Sequence, residues 1–173
     1  MVHISPPLDR ILRMACVTTL ALSYMSTVKG QDNRTNLALN KPASSSSIEN
    51  DEHNAAQAND GDPDTCWRAD DEPENGAEWW QVDLGKPIEL SGCQIRWPYE
   101  GKIYRYKVEG SADKKHWMLL SDQTKTTSKS QEHDLNFENV RGVRYVRVTV
   151  TGFEEGCWAS ICEVKLFGKE HDR

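Results

Sequence analysis

The segment EWWQVDLG, residues 78–85, indicates the class of fold. Apolar and polar residues alternate along it, so that Trp80, Val82 and Leu84 share one face. Alternation with a period of two is the pattern of a β-strand that buries one side, because successive side chains of a strand point to opposite faces. The segment ends at Gly85, a residue type that is common in turns. We therefore predict a half-buried strand here.

The same alternation recurs along the rest of the chain. Gly, Asp, Asn and Ser separate the segments that carry it, which is typical of turns between antiparallel strands. No segment has the pattern of an amphipathic helix of normal length. The pattern therefore predicts an antiparallel β-sandwich. Its further strands are LSGCQIRW (90–97), YRYKVEGS (104–111), VRYVRVTVTG (143–152) and SICEVKLFG (160–168), with shorter candidates at HWMLL (116–120) and HDLNF (133–137).

Composition excludes several classes of function. The chain has 173 residues and a formal net charge of −6, and it has no run of Lys and Arg, so we expect no nucleic-acid partner. It also lacks a Gly-rich phosphate loop, an HExxH motif and a nucleophile elbow. We therefore expect no enzymatic activity. Its six Trp and five Tyr are residue types that build cores but also stack on sugar rings.

The first thirty residues have the pattern of a secretory signal peptide. Arg10 and Arg13 precede the short apolar run MACVTTLALSYM, and Val28 and Gly30 fit a cleavage site. The run is too short and too polar to span a bilayer, and a disordered N-terminus is the alternative interpretation. We therefore expect a signal peptide at 1–30, a linker at 31–35, the folded domain at 36–168 and a tail at 169–173. The protein would be secreted, periplasmic or on the cell surface, and we do not expect a membrane as its partner.

The stretch NDGDPDTCW, residues 59–67, has two interpretations. Asp60, Asp62 and Asp64 are spaced as in an EF-hand, but the required Gly and bidentate Glu are replaced by Thr65 and Asp71. A calcium site of another kind is one interpretation, because a tight turn offers carboxylates and carbonyls together. A solvated acidic turn is the other, since Asp, Gly and Pro are turn residues in any case.

Several motifs follow one another along the chain in a specific order: NLALNKPASSSS, ANDGDPDTCW, EWWQVDLGKPIELSGCQIRW, YRYKVEGSADKKHWMLL, VRYVRVTVTG and ICEVKLFG. This order resembles that of the factor V/VIII type C, or discoidin-like, domains, which include the family 32 carbohydrate-binding modules and the fucose-binding fish lectins. The resemblance covers residues 36–168 and implies an eight-stranded antiparallel jelly-roll β-sandwich of the galactose-binding-like type, with ligand-binding loops at one end.

The resemblance also implies a structural Ca²⁺ that fixes the acidic loop to the last strand. Its ligands would be the carboxylates of Asp60 and Glu163, the carbonyls of Gln57, Asp62 and Cys162, and both oxygens of Thr65. Asp64 would stay in solvent. By the same resemblance, Cys66 and Cys162 form a disulfide. The pairing of Cys93 and Cys157 stays open, with Cys93 a candidate for a buried thiol.

The resemblance further implies a set of ligand-binding residues past this loop, a mixture of charged and aromatic side chains that suits a sugar. Each has a simpler interpretation: Trp97 as core, Arg68 as a partner of Asp70, and Lys102 as a solvated charge. The set departs from that of the fucose lectins at three points. Arg68 replaces their His, Lys102 replaces one of their Arg residues, and their pair of adjacent cysteines is absent. Specificity for fucose therefore does not follow. The full set is Arg68, Asp70, Trp97, Tyr99, Glu100, Lys102 and Trp158.

The sequence therefore predicts a secreted, non-catalytic carbohydrate-binding module or lectin with structural calcium. The alternative is an adhesion domain for a protein or a phospholipid surface, although anionic lipid would be repelled by the acidic chain. A third hypothesis is a fragment or partner of a glycoside hydrolase, in which paired carboxylates such as Asp70 and Glu100 would act. The sequence does not specify the sugar, and an oligomer would make a weak sugar site more effective.

Overall fold

The computed structural model describes residues 34–70 and 77–170 of the chain. They belong to one compact unit, Asn33–Arg173. The predicted signal peptide and residues 31–33 of the predicted linker lie outside the described residues. In the described part, no helix is long and apolar enough to cross a membrane.

The described residues form strands and two short 3₁₀ helices. The helices, η1 (Asp51–His53) and η2 (Ala55–Ala58), begin at asparagines whose side chains accept hydrogen bonds from the first turn, at Asn50 and Asn54. The strands are β1 (Ala43–Ser45), β2 (Trp67–Arg68), β3 (Glu78–Arg96), β4 (Tyr104–Ser111), β5 (Trp117–Asp122), β6 (Glu132–Phe153), β7 (Ser160–Ile161) and β8 (Glu163–Glu170).

All the strand pairs are antiparallel, as predicted. Five strands follow the order β1-β3-β6-β4-β5, while β8 pairs with the second half of β3. A separate pair, β2 and β7, joins Trp67 to Ile161 and Arg68 to Ser160. The predicted β-sandwich is thus confirmed, with β3 and β6 as its central strands.

Two of the strands are longer than the sequence pattern indicates. The expected segment 78–85 and residues 90–96 of the next expected segment belong to the single strand β3, and the segments 133–137 and 143–152 belong to β6. The ladder between β3 and β6 is irregular from Asp83 to Gly92, and Gly85 and Gly142 have φ values of +82° and +77° beside this region. Glycine adopts such values without steric cost, so the strands change direction without ending.

The core contains the faces that alternation predicted. Trp80, Val82, Tyr106 and Val148 are fully buried, and Leu84 is almost so. Side chains from both halves of β3 contribute to one hydrophobic cluster. The last strand extends to Glu170 and so includes Lys169 and Glu170, the first two residues of the expected tail, whereas residues 171–173 lie outside the described residues.

Candidate functional site

The Asp60 loop, which we define as residues 57–66, is anchored at its start by a buried asparagine. The side-chain Nδ2 of Asn59 donates to the carbonyls of Ala38 at 2.7 Å and Lys41 at 2.9 Å. Gly61 follows with a φ of +87°, a value that favours glycine. These features turn the chain tightly, so that carbonyls and side-chain oxygens of the loop point to the same region.

The hydroxyl of Thr65 is the centre of this oxygen cluster. Its Oγ1 lies 2.8 Å from Oδ2 of Asp60, 3.0 Å from the carbonyl oxygen of Asp62 and 3.4 Å from the carbonyl oxygen of Gln57. The structure therefore brings together four of the residues that the resemblance implied as calcium ligands.

Glu163 closes the cluster from the start of β8. Its side chain is buried, with 3 % of the residue exposed, and its Oε2 accepts a hydrogen bond from the backbone N–H of Gly61 at 3.0 Å. Burial raises the pKa of Glu163 to about 7, and the nearby Asp60 carboxylate acts in the same direction. The half-buried Asp60 carboxylate thus lies near enough to act on the buried Glu163 carboxyl, and a bound cation would stabilise both as anions.

The donor set fits a hard cation such as Ca²⁺, which takes six to eight oxygen ligands. Within the described ranges, no three His, Cys, Asp or Glu side chains converge as a metal cluster. The expected set does not require such a cluster, because its side-chain carboxylates are Asp60 and Glu163 and its other oxygens are neutral. Oε1 of Gln57 is also buried without a hydrogen-bond partner among the described residues, which leaves a further oxygen available in this loop.

The predicted disulfide between Cys66 and Cys162 is confirmed. It joins residues 96 positions apart, and each cysteine is adjacent to an expected calcium ligand. Cys93 and Cys157 are both buried free thiols. The disulfide thus covalently fixes the Asp60 loop to the residue that joins β7 to β8.

Past the disulfide, Arg68 lies beside an exposed aromatic ring. The Arg68 guanidinium carbon lies 6.0 Å from the centre of the Trp158 ring, and 41 % of Trp158 is exposed. The pairing of β2 with β7 sets this arrangement, because it places Arg68 opposite Ser160, two residues beyond Trp158. Asp70 is exposed, and its backbone N–H donates to Oγ of Ser47 at 3.1 Å. Arg68, Asp70 and Trp158 thus belong to one neighbourhood.

Glu49 is a site residue that the sequence analysis did not identify. Its Oε2 accepts a hydrogen bond from Arg68 at 2.9 Å and lies 3.6 Å from Nε2 of His53. Nδ1 of His53 lies 3.0 Å from the carbonyl oxygen of Cys66, which ties this segment to the disulfide. Glu49 comes from the serine-rich segment, and nothing in its local sequence indicates that it pairs with Arg68.

A second group of predicted ligand residues lies in the loop after β3. Tyr99 and Glu100 are exposed, with 44 % of Tyr99 accessible. Nζ of Lys102 donates to the backbone carbonyl of Glu155 at 3.1 Å. Lys102 is thus engaged with the Trp158 loop, which we define as residues 154–159, and this loop borders both groups of predicted ligand residues.

The prediction that Trp97 contacts a ligand is wrong. Trp97 is fully buried, and its ring stacks on Tyr104 with the ring centres 4.6 Å apart and the planes 4° from parallel. Its backbone N–H donates to the carbonyl of Gln131, so ordered backbone continues one residue beyond β3. The physical reason is alternation, because Trp97 continues the buried face of Cys93 and Ile95.

A family model for the F5/8 type C domain matches residues 41–164. The chain belongs to this family. The match confirms the resemblance drawn from the order of the motifs. A comparison with curated proteins finds no match.

Several solved structures resemble this domain over nearly their whole length. Chitosan-binding module 1 from a chitosanase/glucanase of Paenibacillus sp. IK-5 is 28 % identical, with a TM-score of 0.67 over 78 % of this chain and 99 % of the module. CpGH89CBM32-4 of Clostridium perfringens, solved with glcNAc-alpha-1,4-galactose, is 23 % identical, with a TM-score of 0.65 over 78 % of this chain and 94 % of that one. A fucose binding module of Streptococcus pneumoniae is 22 % identical, with a TM-score of 0.62 over 82 % and 100 %. The last two show likeness of fold alone.

Proposed function

We propose that this F5/8 type C domain binds glycans without catalysis, through the surface formed by Arg68, Glu49 and the Trp158 loop. The observation that carries the proposal is the exposed Trp158 ring beside the Arg68–Glu49 ion pair. An aromatic face covers the apolar C–H patch of a sugar ring, and charged side chains form directional hydrogen bonds with its hydroxyls. Tyr99, Glu100 and Lys102 would extend the surface toward a second sugar unit.

Glucosamine-containing glycans are the first class that we propose as ligands. The Paenibacillus relative is named as chitosan-binding, and chitosan carries amines that are cationic at acidic to neutral pH. Here the chain carries a formal charge of −6, and Glu49, Asp70 and Glu100 are exposed near the proposed surface. An acidic surface raises the local concentration of a cationic ligand. The acidic residues therefore favour a basic glycan over a sulfated or sialylated one.

We also propose a structural Ca²⁺ held by the Asp60 loop, with Gln57, Asp60, Asp62, Thr65, Cys162 and Glu163 as its ligands. When bound, the ion would neutralise the two close carboxylates and hold the loop rigid before a glycan arrives. The convergence of oxygens on Thr65 and the burial of Glu163 support this assignment. The disulfide is typical of oxidising compartments and supports the proposal that the protein is secreted or on a cell surface.

The test is a glycan array followed by titration calorimetry with chitooligosaccharides, with Ca²⁺ and again with EDTA. Arg68→Ala is expected to weaken binding about ten-fold or more, because a hydrogen bond from a charged group is lost. Arg141→Ala is the matched control, since Arg141 also pairs with one glutamate, Glu89, at 3.1 Å, but on the bend near Gly142. This control should bind like the unaltered protein.

Other outcomes would replace the proposal. If the folded, calcium-loaded protein binds no glycan on the array, the sugar hypothesis fails and protein adhesion becomes the leading function. Sedimentation with vesicles that contain phosphatidylserine would instead identify a phospholipid surface. Release of reducing sugar from a bound oligosaccharide would show catalysis, which the proposed role excludes.

A further inference from the structure

We propose that a pocket on the outer face of the sheet, beside the Asp60 loop, is a second ligand site that takes one neutral sugar ring. The pocket has a volume of about 230 Å³. Sites for drug-sized ligands have roughly 300–1,000 Å³, so the occupant of this pocket is a small molecule or one unit of a larger one. The pocket is a different place from the surface around Arg68 and Trp158, and neither site depends on the other.

The floor of the pocket comes from three neighbouring strands, β6, β3 and β8. Arg96 of β3 lies opposite Glu132 of β6 on one side and Glu163 of β8 on the other. Gln94 of β3 lies opposite Lys165 of β8. All five residues line the pocket and alternate with buried residues of their strands, so their side chains lie together on the outer face.

The Asp60 loop forms the wall of the pocket with Gly61 and Pro63. The wall is held in place because the backbone N–H of Gly61 donates to Oε2 of Glu163 at 3.0 Å. Pro63 is the only apolar side chain among the lining residues, and its ring can cover C–H groups of a sugar. Of the expected calcium ligands only Glu163 lines the pocket, so the pocket is distinct from the oxygen cluster around Thr65.

Hydrogen-bond donors and acceptors lie side by side on this floor. Nη1 of Arg96 donates to Oε1 of Glu132 at 2.9 Å, whereas Nε of Arg96 is buried without a partner among the described residues. Nε2 of Gln94 donates to Oδ1 of Asp134 at 3.0 Å, which leaves its Oε1 as an acceptor. Lys165 adds an ammonium group. A hydroxyl both donates and accepts, so the vicinal hydroxyls of a sugar match such a floor.

The charges of the pocket favour a neutral ligand over an ion. In their ionised forms, Arg96 and Lys165 contribute two positive charges, and Glu132 and Glu163 contribute two negative ones. An ion of either sign would be attracted by one pair and repelled by the other, and it would also lose its water. A neutral sugar ring loses less solvation and still forms charge-assisted hydrogen bonds.

The test is an NMR titration of the full chain in Ca²⁺, with glucose, galactose and N-acetylglucosamine as the probes. The nitrogen–proton signals of the Gln94 side-chain amide and the Gly61 backbone amide should shift as a probe is added. A shift of the Trp158 indole signal reports the loop surface instead. Shifts at Trp158 alone would overturn the pocket and leave the proposed function standing. Shifts at Gln94 and Gly61 alone would support the pocket and count against the loop surface.

Lys165→Met should weaken binding at the pocket about ten-fold, because a hydrogen bond from a charged group is lost. Lys107→Met is the matched control, since Lys107 also lies in a strand, β4, and pairs with Glu109 at 3.0 Å, away from the residues that line the pocket. This control should bind like the unaltered protein. The same spectra show whether each variant is folded, and undiminished binding by folded Lys165→Met would overturn the proposal.

Charged sugars test the preference for a neutral ring. Glucuronate and glucosamine add a negative or a positive charge to nearly the same ring, and both should bind this pocket more weakly than glucose. Tighter binding of glucuronate would show that Arg96 and Lys165 form an anion site. Tighter binding of glucosamine would show that Glu132 and Glu163 form a cation site. Either result would overturn the assignment of a neutral ligand.

Discussion

The Asp60 loop and the Trp158 loop lead into the two strands of the β2–β7 pair, and they are held in different ways. The Asp60 loop is fixed by the disulfide between Cys66 and Cys162, by the Thr65 hydroxyl and by the buried Glu163. The Trp158 loop is held mainly by backbone hydrogen bonds, such as that from Ala69 to Ala159, and by Lys102.

The difference corresponds to two tasks of a binding site, which are to be ordered in advance and to contact the ligand. The Asp60 loop has a covalent link and hydrogen bonds to the Thr65 hydroxyl and the buried Glu163, so it is organised before any ligand arrives. The Trp158 loop leaves its large side chain 41 % exposed, where a ligand can contact it. Variants of the first loop should therefore change stability, and variants of the second should change binding.

The largest effect is expected from removal of the disulfide. The double variant Cys66→Ser, Cys162→Ser should lose about 2–5 kcal/mol of unfolding free energy, because a closed loop of 96 residues then becomes free in the unfolded chain. Urea denaturation monitored by tryptophan fluorescence measures this loss. Reductant should reproduce it in the unaltered protein and leave the double variant unchanged. Equal stability of the two proteins would show that the loop is held by other means.

Removal of calcium is expected to have the next largest effect. EDTA should lower the unfolding free energy by about 2–3 kcal/mol relative to Ca²⁺ at a hundred times its dissociation constant. Asp60→Asn should abolish this difference, because it removes one of the two expected carboxylate ligands. Asp64→Asn is the matched control in the same loop, and it should keep the full calcium response. A calcium response that both variants lose, or that the unaltered protein lacks, would contradict the assignment.

The smallest change in stability is expected in the Trp158 loop. Trp158→Ala should lower the unfolding free energy by about 1 kcal/mol, because the side chain is 41 % exposed and loses only the contacts of its covered part. The same variant should weaken glycan binding about two- to ten-fold, through loss of the aromatic contact. Trp158→Phe should retain most of the binding, since it keeps an aromatic face. A large loss of stability in Trp158→Ala would show instead that Trp158 stabilises the fold, as residues of the Asp60 loop are expected to do.

Much of the fold could be predicted from alternation, because the pattern reports which side of a strand is buried. It identified the buried faces of β3, β4 and β6. It did not show that β3 and β6 each run through a bend, since Gly85 and Gly142 look like turn residues in the sequence. A glycine that ends one strand and a glycine that bends a longer strand have the same local signature.

The candidate site was less predictable, because it is assembled from distant segments. The oxygens of the Asp60 loop are close in sequence, and their convergence agrees with the resemblance. The ion pair between Arg68 and Glu49 spans 19 residues and has no periodic signal. For Trp97 the local pattern was the better guide. Its alternation with Cys93 and Ile95 indicated a core position, whereas its assignment as a ligand-binding residue, which came from the resemblance, was wrong.

The link between the Asp60 loop and the start of β8 affects how the domain folds during translation. Asp60 and Cys66 emerge from the ribosome about a hundred residues before Cys162 and Glu163, so the loop cannot complete its contacts until the final strand is made. Contacts between residues so far apart in sequence form slowly, and the nascent domain would carry an unpaired thiol and an open acidic turn until then. Strand β8, the last described strand of the domain, thus completes the contacts of the Asp60 loop.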